Sequence, residues 1–400
     1  MREQAGVFAT DRENPEYLST QLITYIGNKR ALLGFIGVAA DKVSRRIGRG
    51  KLDIADVFSG SGVVARFFKQ RARRLYVNDF ERYAETLSRC YLPDAPDLSR
   101  LWPVYRKLVK DIAAGSRQGF IAEMYAPADE TDIRAGERCF FTPRNARYID
   151  TARQLIEELP AGIRRYFLAP LLTEVSVKNN TSGVFKGFYK NSRTGLGQFG
   201  GNGRDALSRI TRDIELPFPV FSRFACPTQV YCDDANDLAR RLPAVDLAYL
   251  DPPYNQHPYG SNYFMLNLVN DYHKPSDVSA VSGIPADWRR SAYNKPQTAF
   301  DALSRVCQDL KARFLLISFN SEGFIAKDRM IAMLAEIGTT EVIEKKYTAF
   351  RGSRNLRERD IHVREYLFLV DTCKQTPPLR PNRTSPGHNA PGVDTGYRKA

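Results

Sequence analysis

The sequence predicts an α/β protein whose core is a Rossmann-like, doubly wound sheet interrupted by a mainly helical insert. Short apolar runs that end in glycine, proline or aspartate alternate with helical segments in two separated blocks of the chain. Such alternation is typical of βαβ units, which build parallel sheets. Between the blocks, over roughly residues 92–225, helical periodicity dominates up to about Val177. We therefore expect the sheet to come from the two outer blocks and the insert to lie between them.

The first block has the order strand, glycine turn, helix, strand. The apolar run Lys51–Phe58 predicts a strand that ends in a turn at Gly60 and Gly62. A helix is expected over Val63–Arg73, followed by a second short strand over Leu75–Val77. This order predicts one complete βαβ unit.

The second block supplies the remaining strands. Strands are predicted over Asp246–Leu250, Phe314–Ser318, Glu341–Lys345 and Arg364–Val370, and a helix over Asp328–Ile337. We predict a discontinuous sheet domain of residues 1–91 and 226–370, and an inserted domain of residues 92–225. Residues 371–400 contain five prolines and five Lys or Arg with almost no large apolar residues, which predicts a disordered basic tail.

Composition restricts the classes of function. The chain has 400 residues, 43% of them hydrophobic, so global disorder is excluded. Its net charge of +14 indicates a polyanionic partner, either nucleic acid or an anionic membrane surface. The longest strongly apolar stretch, Ala31–Ala40, is too short to span a bilayer. The basic run Arg66–Arg74 is interpreted as a solvated helix face.

The N-terminus, the cysteines and the histidines bear on location and metal binding. Met1–Asn14 is polar and of mixed charge, unlike a secretory signal. The six cysteines have no knuckle spacing and the four histidines are scattered. We therefore expect a cytoplasmic protein with reduced thiols and no metal site.

A long loop, Lys178–Arg204, lies in the second half of the insert. It interleaves aromatic side chains with basic ones, among them Lys186, Lys190 and Arg193. Basic groups suit phosphate contacts, and aromatic rings suit base stacking or insertion into a groove. This composition favours nucleic-acid binding, and the alternative is a solvated glycine-rich loop.

The first candidate site lies where the first predicted strand ends, at Asp56–Gly62. Glycines in this position let the backbone approach a ligand closely. No Lys-Ser/Thr pair follows, so this is not a phosphate-binding Walker loop. Asp79 lies 23 residues beyond Asp56, the spacing expected of an acid that binds ribose hydroxyls. These features predict a nucleoside cofactor but do not distinguish NAD from S-adenosylmethionine.

The second candidate site is Asp251-Pro252-Pro253-Tyr254, directly after a predicted strand. Two prolines fix a rigid turn and present a carboxylate beside an aromatic ring. That pair suits a planar substrate with an amino group. Asp251 and the Pro252 carbonyl would accept its two N–H groups, and Tyr254 would stack on its ring. The alternative is an ordinary proline-rich turn with an exposed Asp251.

Taken together, these motifs resemble the adenine-specific DNA methyltransferases of the alpha group, related to DNA adenine methylase. The resemblance rests on Tyr25–Lys29, Asp56–Gly62, Asp79 and Asp251–Tyr254, which occur in the order used by that group. It implies a methyltransferase sheet and a target-recognition insert. It also implies transfer of a methyl group from S-adenosylmethionine to the 6-amino nitrogen of a flipped adenine at specific sites in duplex DNA.

The resemblance also implies roles for individual residues. The catalytic residues would be Asp251, Pro252, Pro253 and Tyr254. Lys29 would hold the methionine carboxylate of the cofactor and Asp79 its ribose, while Asp234, or its neighbour Asp233, would contact its adenine. The full predicted cofactor set is Tyr25, Lys29, Asp56, Phe58, Gly60, Gly62, Asp79 and Asp234. Beside the three basic residues of the loop, the DNA-contacting candidates are Arg289, Arg351 and Arg354. Val57 departs from the family pattern, which usually has proline there.

Alternatives remain at this point. Cytosine-N4 and glutamine methyltransferases usually have Ser or Asn in place of Asp251, and an RNA adenine methyltransferase or an NAD oxidoreductase would have a similar composition. A DNA-binding protein without turnover is the alternative outside enzymes. The expected partner is double-stranded DNA, with a cognate restriction endonuclease as a further candidate within a restriction–modification or related system. We expect a monomer without membrane association.

Overall fold

The computed structural model describes residues 13–201, 203, 206–348 and 362–373. These residues form one seven-stranded sheet with the strand order β3-β2-β1-β4-β5-β7-β6. The strands are β1 Leu52–Asp56, β2 Ala72–Asn78, β3 Thr228–Tyr231, β4 Val245–Leu250, β5 Ala312–Asn320, β6 Thr339–Thr348 and β7 His362–Asp371.

Strands β1 to β5 pair in parallel, and β7 pairs antiparallel with both β5 and β6. The predicted α/β fold with a Rossmann-like sheet is therefore confirmed, with an antiparallel hairpin at one edge. The strand order reverses between β1 and β4, where the chain continues on the other side of the sheet. In open α/β sheets, ligands bind at such a switch point, beyond the carboxyl ends of the strands.

The described residues form fourteen α-helices and two short 3₁₀ helices, at Arg30–Leu32 and Ala292–Asn294. The α-helices are α1 Pro15–Ser19, α2 Leu33–Ile47, α3 Val63–Lys69, α4 Arg82–Tyr91, α5 Leu98–Ala114, α6 Phe120–Tyr125, α7 Pro143–Glu157, α8 Ala161–Val177, α9 Leu207–Ile210, α10 Ala235–Arg241, α11 Tyr259–Asn262, α12 Phe264–Asp271, α13 Pro296–Asp309 and α14 Lys327–Ala335. No described helix is both long enough and apolar enough to cross a bilayer.

Helices cover both faces of the sheet because successive strand residues point to opposite sides. Ile54 packs into a core that contains side chains of α2 and α3. Its neighbour Ala55 packs into a second core, with side chains of α10, α13 and α14. Both cores are apolar, as expected for a parallel sheet buried on both faces.

The insert shares its hydrophobic core with the catalytic part of the chain. Side chains of α5 to α8 form one cluster with Tyr83 and Leu87 of α4 and with Phe264 and Val269 of α12. Helix α12 follows the Asp251–Tyr254 segment in sequence. The helices of the insert are therefore fixed against elements that adjoin the candidate site. The predicted limits of the insert, 92–225, stay a prediction.

The described part of the predicted long loop, residues 178–201, is called the insert loop below. Asn180 organises it, because its side-chain amide donates to the carbonyls of Cys139 and Gln198, each at 2.7 Å. Lys190 and Gly197 form an antiparallel bridge, and the backbone turns between them. The insert loop therefore has a defined hairpin-like tip.

The interpretation of the basic run Arg66–Arg74 as a solvated face is wrong for two of its members. Arg66 and Lys69 are buried. The ammonium of Lys69 donates to the carbonyls of Leu92 at 2.7 Å and Pro93 at 2.9 Å. These carbonyls directly follow α4, so Lys69 bridges helix α3 to the segment that leaves α4.

Replacement of Lys69 by alanine is expected to destabilise the fold. The substitution removes two buried hydrogen bonds and leaves both carbonyl oxygens without that donor. The free energy of unfolding should fall by about 2–4 kcal/mol. Arg74, which is exposed in the same basic run, is the matched control. Arg74→Ala should change the free energy of unfolding by less than about 0.5 kcal/mol. Urea unfolding measures both values, and equal effects of the two substitutions would contradict the structural role of Lys69.

Candidate active site

A cavity of about 910 Å³, counting the space at its open mouth, lies at the switch point of the sheet. It is where the carboxyl ends of β1, β2 and β4 meet, as the topology requires. Both candidate sites from the sequence open into this one cavity. The predicted residues that line it are Tyr25, Lys29, Asp56, Phe58, Gly60, Asp79, Asp234, Asp251, Pro252, Pro253 and Tyr254. Gly62 does not line it and instead precedes α3 with a left-handed backbone, φ +73°.

A stack of tyrosines holds the Tyr25 segment in place. The ring of Tyr25 stacks on Tyr259 at 4.8 Å and on Tyr263 at 4.9 Å between ring centres. The hydroxyl of Tyr263 accepts from the amide of Ile26 at 2.7 Å, and that of Tyr259 donates to the Ile26 carbonyl at 3.0 Å. The segment before Lys29 is thus bound through its backbone to helix α11 and the residue after it.

Glycine is required at position 60 for two reasons. Its φ of +52° is a conformation that other residues rarely adopt. A Cβ atom there would also lie 2.7 Å from Cε1 of Tyr25. The turn after β1 and the Tyr25 ring therefore pack together in a way that only a residue without a side chain allows.

Asp79 is fixed by the backbone. One carboxylate oxygen accepts from the amide of Gly60 at 2.7 Å, and the other accepts from the amide of Glu81 at 2.9 Å. Burial raises the pKa of Asp79, although these hydrogen bonds to the carboxylate oppose the rise. The carboxylate at the end of β2 is therefore held against the turn after β1, as a ribose-binding acid would need to be.

Asp56 is buried at the end of β1, and no side chain among the described residues donates to its carboxylate. Burial, together with the negative charges of Asp251 and Asp79, raises its pKa well above the usual range, although the backbone amides of Phe58 and Ala65 oppose the rise. A buried carboxylate without a cationic partner is costly, and a cationic or N–H-bearing ligand would relieve that cost. Asp56 is accordingly the strongest indication in the cavity of a ligand with a positively charged group.

Asp251 lies at the end of β4 and pairs with Lys29. The ammonium of Lys29 is 3.1 Å from an oxygen of Asp251 and 3.2 Å from an oxygen of Glu365 on β7. Burial raises the pKa of Asp251 to about 6, with Lys29 opposing the rise and Glu365 adding to it. The ammonium of Lys29 is thus shared between two carboxylates, and its predicted contact with a methionine carboxylate stays a prediction.

The turn Asp251–Tyr254, called the catalytic turn below, is held from the next strand. The carbonyl of Tyr254 accepts from the amide of Phe324 at 3.0 Å, and its ring meets Phe319 edge to face at 5.7 Å. Phe319 belongs to β5, the neighbour of β4. The Tyr254 ring is therefore fixed at the cavity wall, next to the Asp251 carboxylate.

The opposite end of the cavity contains Phe80 and Arg289. The guanidinium of Arg289 lies 3.9 Å from the centre of the Phe80 ring and donates to the Phe80 carbonyl. Arg289 is predicted to contact DNA, and the structure places it half-buried at the wall of this cavity. Both Asp233 and Asp234 also line this end. Asp233 pairs with Arg241, and the side chain of Asp234 accepts from the amide of Asn236 at 2.8 Å.

The other predicted DNA contacts fall into two groups. Lys186, Lys190 and Arg193 are exposed on the insert loop. Arg351 and Arg354 lie outside the described residues.

The insert loop lies beside the mouth of the cavity. The amide of Phe185 donates to the carbonyl of Asn262 in α11 at 2.7 Å. Burial and the positive charge of Lys186 both lower the pKa of His257, three residues beyond the catalytic turn. Lys186 is therefore close to the segment that follows the catalytic turn.

Two residues that the sequence did not predict are Phe80, which lines the cavity, and Glu365, which lies behind it. Phe80 carries a weak signal, because it directly follows the predicted ribose-binding acid. Glu365 carries none, since nothing in the segment Arg364–Val370 distinguishes a buried glutamate from a solvent-facing one. Only the position of β7 beside β5 brings it to Lys29.

Comparison with known proteins agrees with this geometry. A family profile described as D12 class N6 adenine-specific DNA methyltransferase matches residues 25–282. The Type II methyltransferase M.CviAII of Paramecium bursaria Chlorella virus 1 is 28% identical over 87% of this chain and 98% of its own. The Type II methyltransferase M.NlaIII of Neisseria lactamica is 25% identical over 87% of this chain and 99% of its own.

A third relative is longer than this chain. The modification methylase StsI of Streptococcus sanguinis is 26% identical over 90% of this chain and 53% of its own. The family profile spans more than half of the chain. It includes the Tyr25 segment, Asp56, Asp79 and the catalytic turn. The chain belongs to the D12 class of N6 adenine-specific DNA methyltransferases.

Proposed function

We propose that this DNA adenine methyltransferase uses S-adenosylmethionine and that the catalytic turn holds a flipped adenine for transfer to its 6-amino nitrogen. The observation that carries the proposal is the convergence of two sites on one cavity. Asp56 and Asp79 line it after β1 and β2, and Asp251 and Tyr254 line it after β4. Holding two reactants in one cavity supplies much of the rate enhancement that a direct transfer needs.

The residues present fit the proposed cofactor. When bound, S-adenosylmethionine supplies a methyl group on a positively charged sulfur. The carboxylate of Asp56, which has no side-chain donor among the described residues, suits the cationic amino group, and Asp79 suits the ribose hydroxyls. Gly60 lets the turn after β1 pack directly against the Tyr25 ring at the cavity wall. Tyr25, Phe58 and Asp234 complete the proposed set, together with Lys29 in the role that the resemblance implies.

The catalytic turn would hold the acceptor. Asp251 accepts one N–H of the adenine amino group, the Pro252 carbonyl accepts the other, and Tyr254 stacks on the ring. Because the pKa of Asp251 is about 6, its carboxylate is ionised at neutral pH and can only accept. These contacts leave the nitrogen lone pair free to attack the methyl group. The proton is lost after transfer, when it has become acidic.

The target adenine must leave the base stack to enter such a cavity, at a cost of a few kcal/mol. The insert loop supports a role in this step because its basic residues are exposed near the cavity mouth. Lys186, Lys190 and Arg193 would contact DNA phosphates there, and Arg351 and Arg354 remain further candidates. Arg289 remains a candidate as well, although its contact with Phe80 suits the cofactor end better.

The wider setting is also a proposal. Because the relatives are named type II methyltransferases and a modification methylase, we propose a cognate restriction endonuclease as the functional partner. A monomer in the cytoplasm would suffice for the reaction. Residues 1–91 and 226–370 would act as the catalytic domain, 92–225 as the target-recognition domain and 371–400 as a basic tail.

The role of Asp251 is tested by transfer of tritium from methyl-labelled S-adenosylmethionine to duplex DNA. Asp251→Ala removes the acceptor and should lower the rate by at least about 100-fold. Asp237, an exposed acid paired with Arg240 on α10, provides the control, and Asp237→Ala should leave the rate unchanged. Full labelling by the Asp251 variant would refute the proposed role, and no labelling of any DNA by the wild type would refute the function.

The pH dependence of the rate of tritium transfer, measured in a single turnover, is a second test of Asp251. The pKa of Asp251 is raised to about 6, so the ionised acceptor is present above that pH and is lost as the pH falls through it. The wild-type rate should therefore fall below about pH 6. A rate that stays level down to the ordinary range of an aspartate, near pH 4, would argue against Asp251 as the titrating group.

The insert loop is tested through the salt dependence of DNA binding. Lys186→Ala or Lys190→Ala should weaken binding most at low salt and reduce the slope of log K against log salt by about 1. Lys42→Ala is the control, because Lys42 pairs with Glu341 and does not line the cavity. Slopes equal to the wild-type value in both loop variants would show that the insert loop does not contact the phosphates.

A further inference from the structure

Three charged groups form a buried cluster that reaches behind the catalytic turn. Lys29 lies between Asp251 and Glu365, at 3.1 Å and 3.2 Å from their oxygens. The side chains of Lys29 and Glu365 are only 4% and 1% exposed, whereas that of Asp251 is 16% exposed toward the cavity. Glu365 does not line the cavity. Glu365 therefore does not contact a ligand in the cavity, and Lys29 is the side chain that connects it to Asp251.

Glu365 is itself held in place by the sheet. It lies opposite Asn320 in the antiparallel pairing of β5 and β7. The same oxygen that faces Lys29 accepts from the hydroxyl of Ser318 at 2.8 Å. The second oxygen, Oε2, meets no hydrogen-bond donor among the described residues. The carboxylate thus directs one oxygen at Lys29 and leaves the other unsatisfied.

Such a cluster is poorly explained by stability alone. Burying charged groups costs several kcal/mol each, and apolar side chains of similar volume often stabilise a fold as well or better. Glu365 adds a second negative charge beside a carboxylate that already has a cation. Its effect is to hold the ammonium from the side away from the cavity, so that Lys29 is anchored while Asp251 remains available to a ligand.

We propose that Glu365 is a positioning residue, which anchors Lys29 and thereby fixes the orientation of the Asp251 carboxylate toward the target amino group. The inference rests on the proposed role of Asp251 as the acceptor. The inference uses the contacts of Lys29 with Asp251 and Glu365, which are separate from its proposed contact with the cofactor. No bond forms or breaks at Lys29 or Glu365.

The surroundings of Asp251 determine how its titration responds. Besides Lys29 and Glu365, the groups that face it are the carboxylate of Asp56 on β1 and the phenols of Tyr249, Tyr254 and Tyr259. Tyr249 and Tyr259 stay neutral, because burial raises their pKa values well above the usual range. Lys29 and Glu365 therefore act on Asp251 with opposite signs.

The test compares Lys29→Met and Glu365→Gln in single-turnover methylation of duplex DNA. Glu365→Gln keeps the size of the side chain and should lower the rate about 10- to 100-fold, as expected for a displaced reacting group. In Glu365→Gln, the affinity for S-adenosylmethionine should stay within about twofold of the wild-type value. The acid limb of the rate profile should move to lower pH in Glu365→Gln and to higher pH in Lys29→Met, because the removed charges have opposite signs.

A double variant shows whether Glu365 acts through Lys29. Lys29→Met combined with Glu365→Gln should be no slower than Lys29→Met alone, whereas independent roles would give additive losses. Glu344→Gln is the matched control, because Glu344 is a partly exposed acid on the neighbouring strand that pairs with Lys327. If Glu365→Gln does not fold, Ser318→Ala keeps all three charges and should slow the reaction without moving the acid limb.

Three results would overturn the proposal. They are a Glu365→Gln rate within about twofold of the wild type, additive losses in the double variant, and a loss of cofactor affinity as large as the loss of rate. The rates of the wild type and of Asp251→Ala show whether the positioning role alone fails or the proposed function fails as well. If Asp251→Ala is inactive while Glu365→Gln is unaffected, only the positioning role is wrong.

Discussion

Two buried carboxylates at the ends of adjacent parallel strands impose the main electrostatic constraint on this molecule. Asp56 ends β1, and its register partner on β4 is Tyr249, so Asp251 follows two residues later at the same edge of the sheet. The negative charge of Asp251 raises the cost of ionising Asp56. The chain compensates the two carboxylates differently. Asp251 has the ammonium of Lys29, whereas no side chain among the described residues donates to Asp56.

This asymmetry matches the two ligands that the proposed reaction brings together. The uncompensated Asp56 suits a cofactor that carries positive charge, and the compensated Asp251 suits a neutral amino group that needs an acceptor. The tyrosine stack of Tyr25, Tyr259 and Tyr263 helps to place Lys29, because it holds the backbone of Ile26, three residues earlier. Tyr263 also packs into the core formed by α5 to α8, so the cavity wall and these helices share one hydrophobic core.

Much of the fold and the cavity followed from local sequence pattern. The strands that carry Asp56, Asp79 and Asp251 are apolar runs closed by turn residues, and topology brings their ends together. Strand β3 was missed because Thr228–Tyr231 is short and only partly buried, which leaves no apolar run to detect.

Charged residues were the hardest to predict. Lys69 and Arg66 are expected in solvent, yet both are buried. Backbone carbonyls from distant segments accept hydrogen bonds from their side chains. The pairing of Lys29 with Glu365 joins residues at opposite ends of the chain, and sequence spacing carries no information about such contacts. The position of Arg289 over Phe80 depends in the same way on how a loop folds back.

The most direct test of this division of roles is calorimetric titration of S-adenosylmethionine into Asp56→Asn and Asp251→Asn. If Asp56 is the uncompensated acid that meets the cationic cofactor, its substitution should weaken binding by about 10- to 100-fold, the value of a hydrogen bond to a charged group. Asp251→Asn should leave binding nearly unchanged, because that carboxylate is paired with Lys29 and faces the acceptor. Equal losses in the two variants, or a larger loss in Asp251→Asn, would contradict the account.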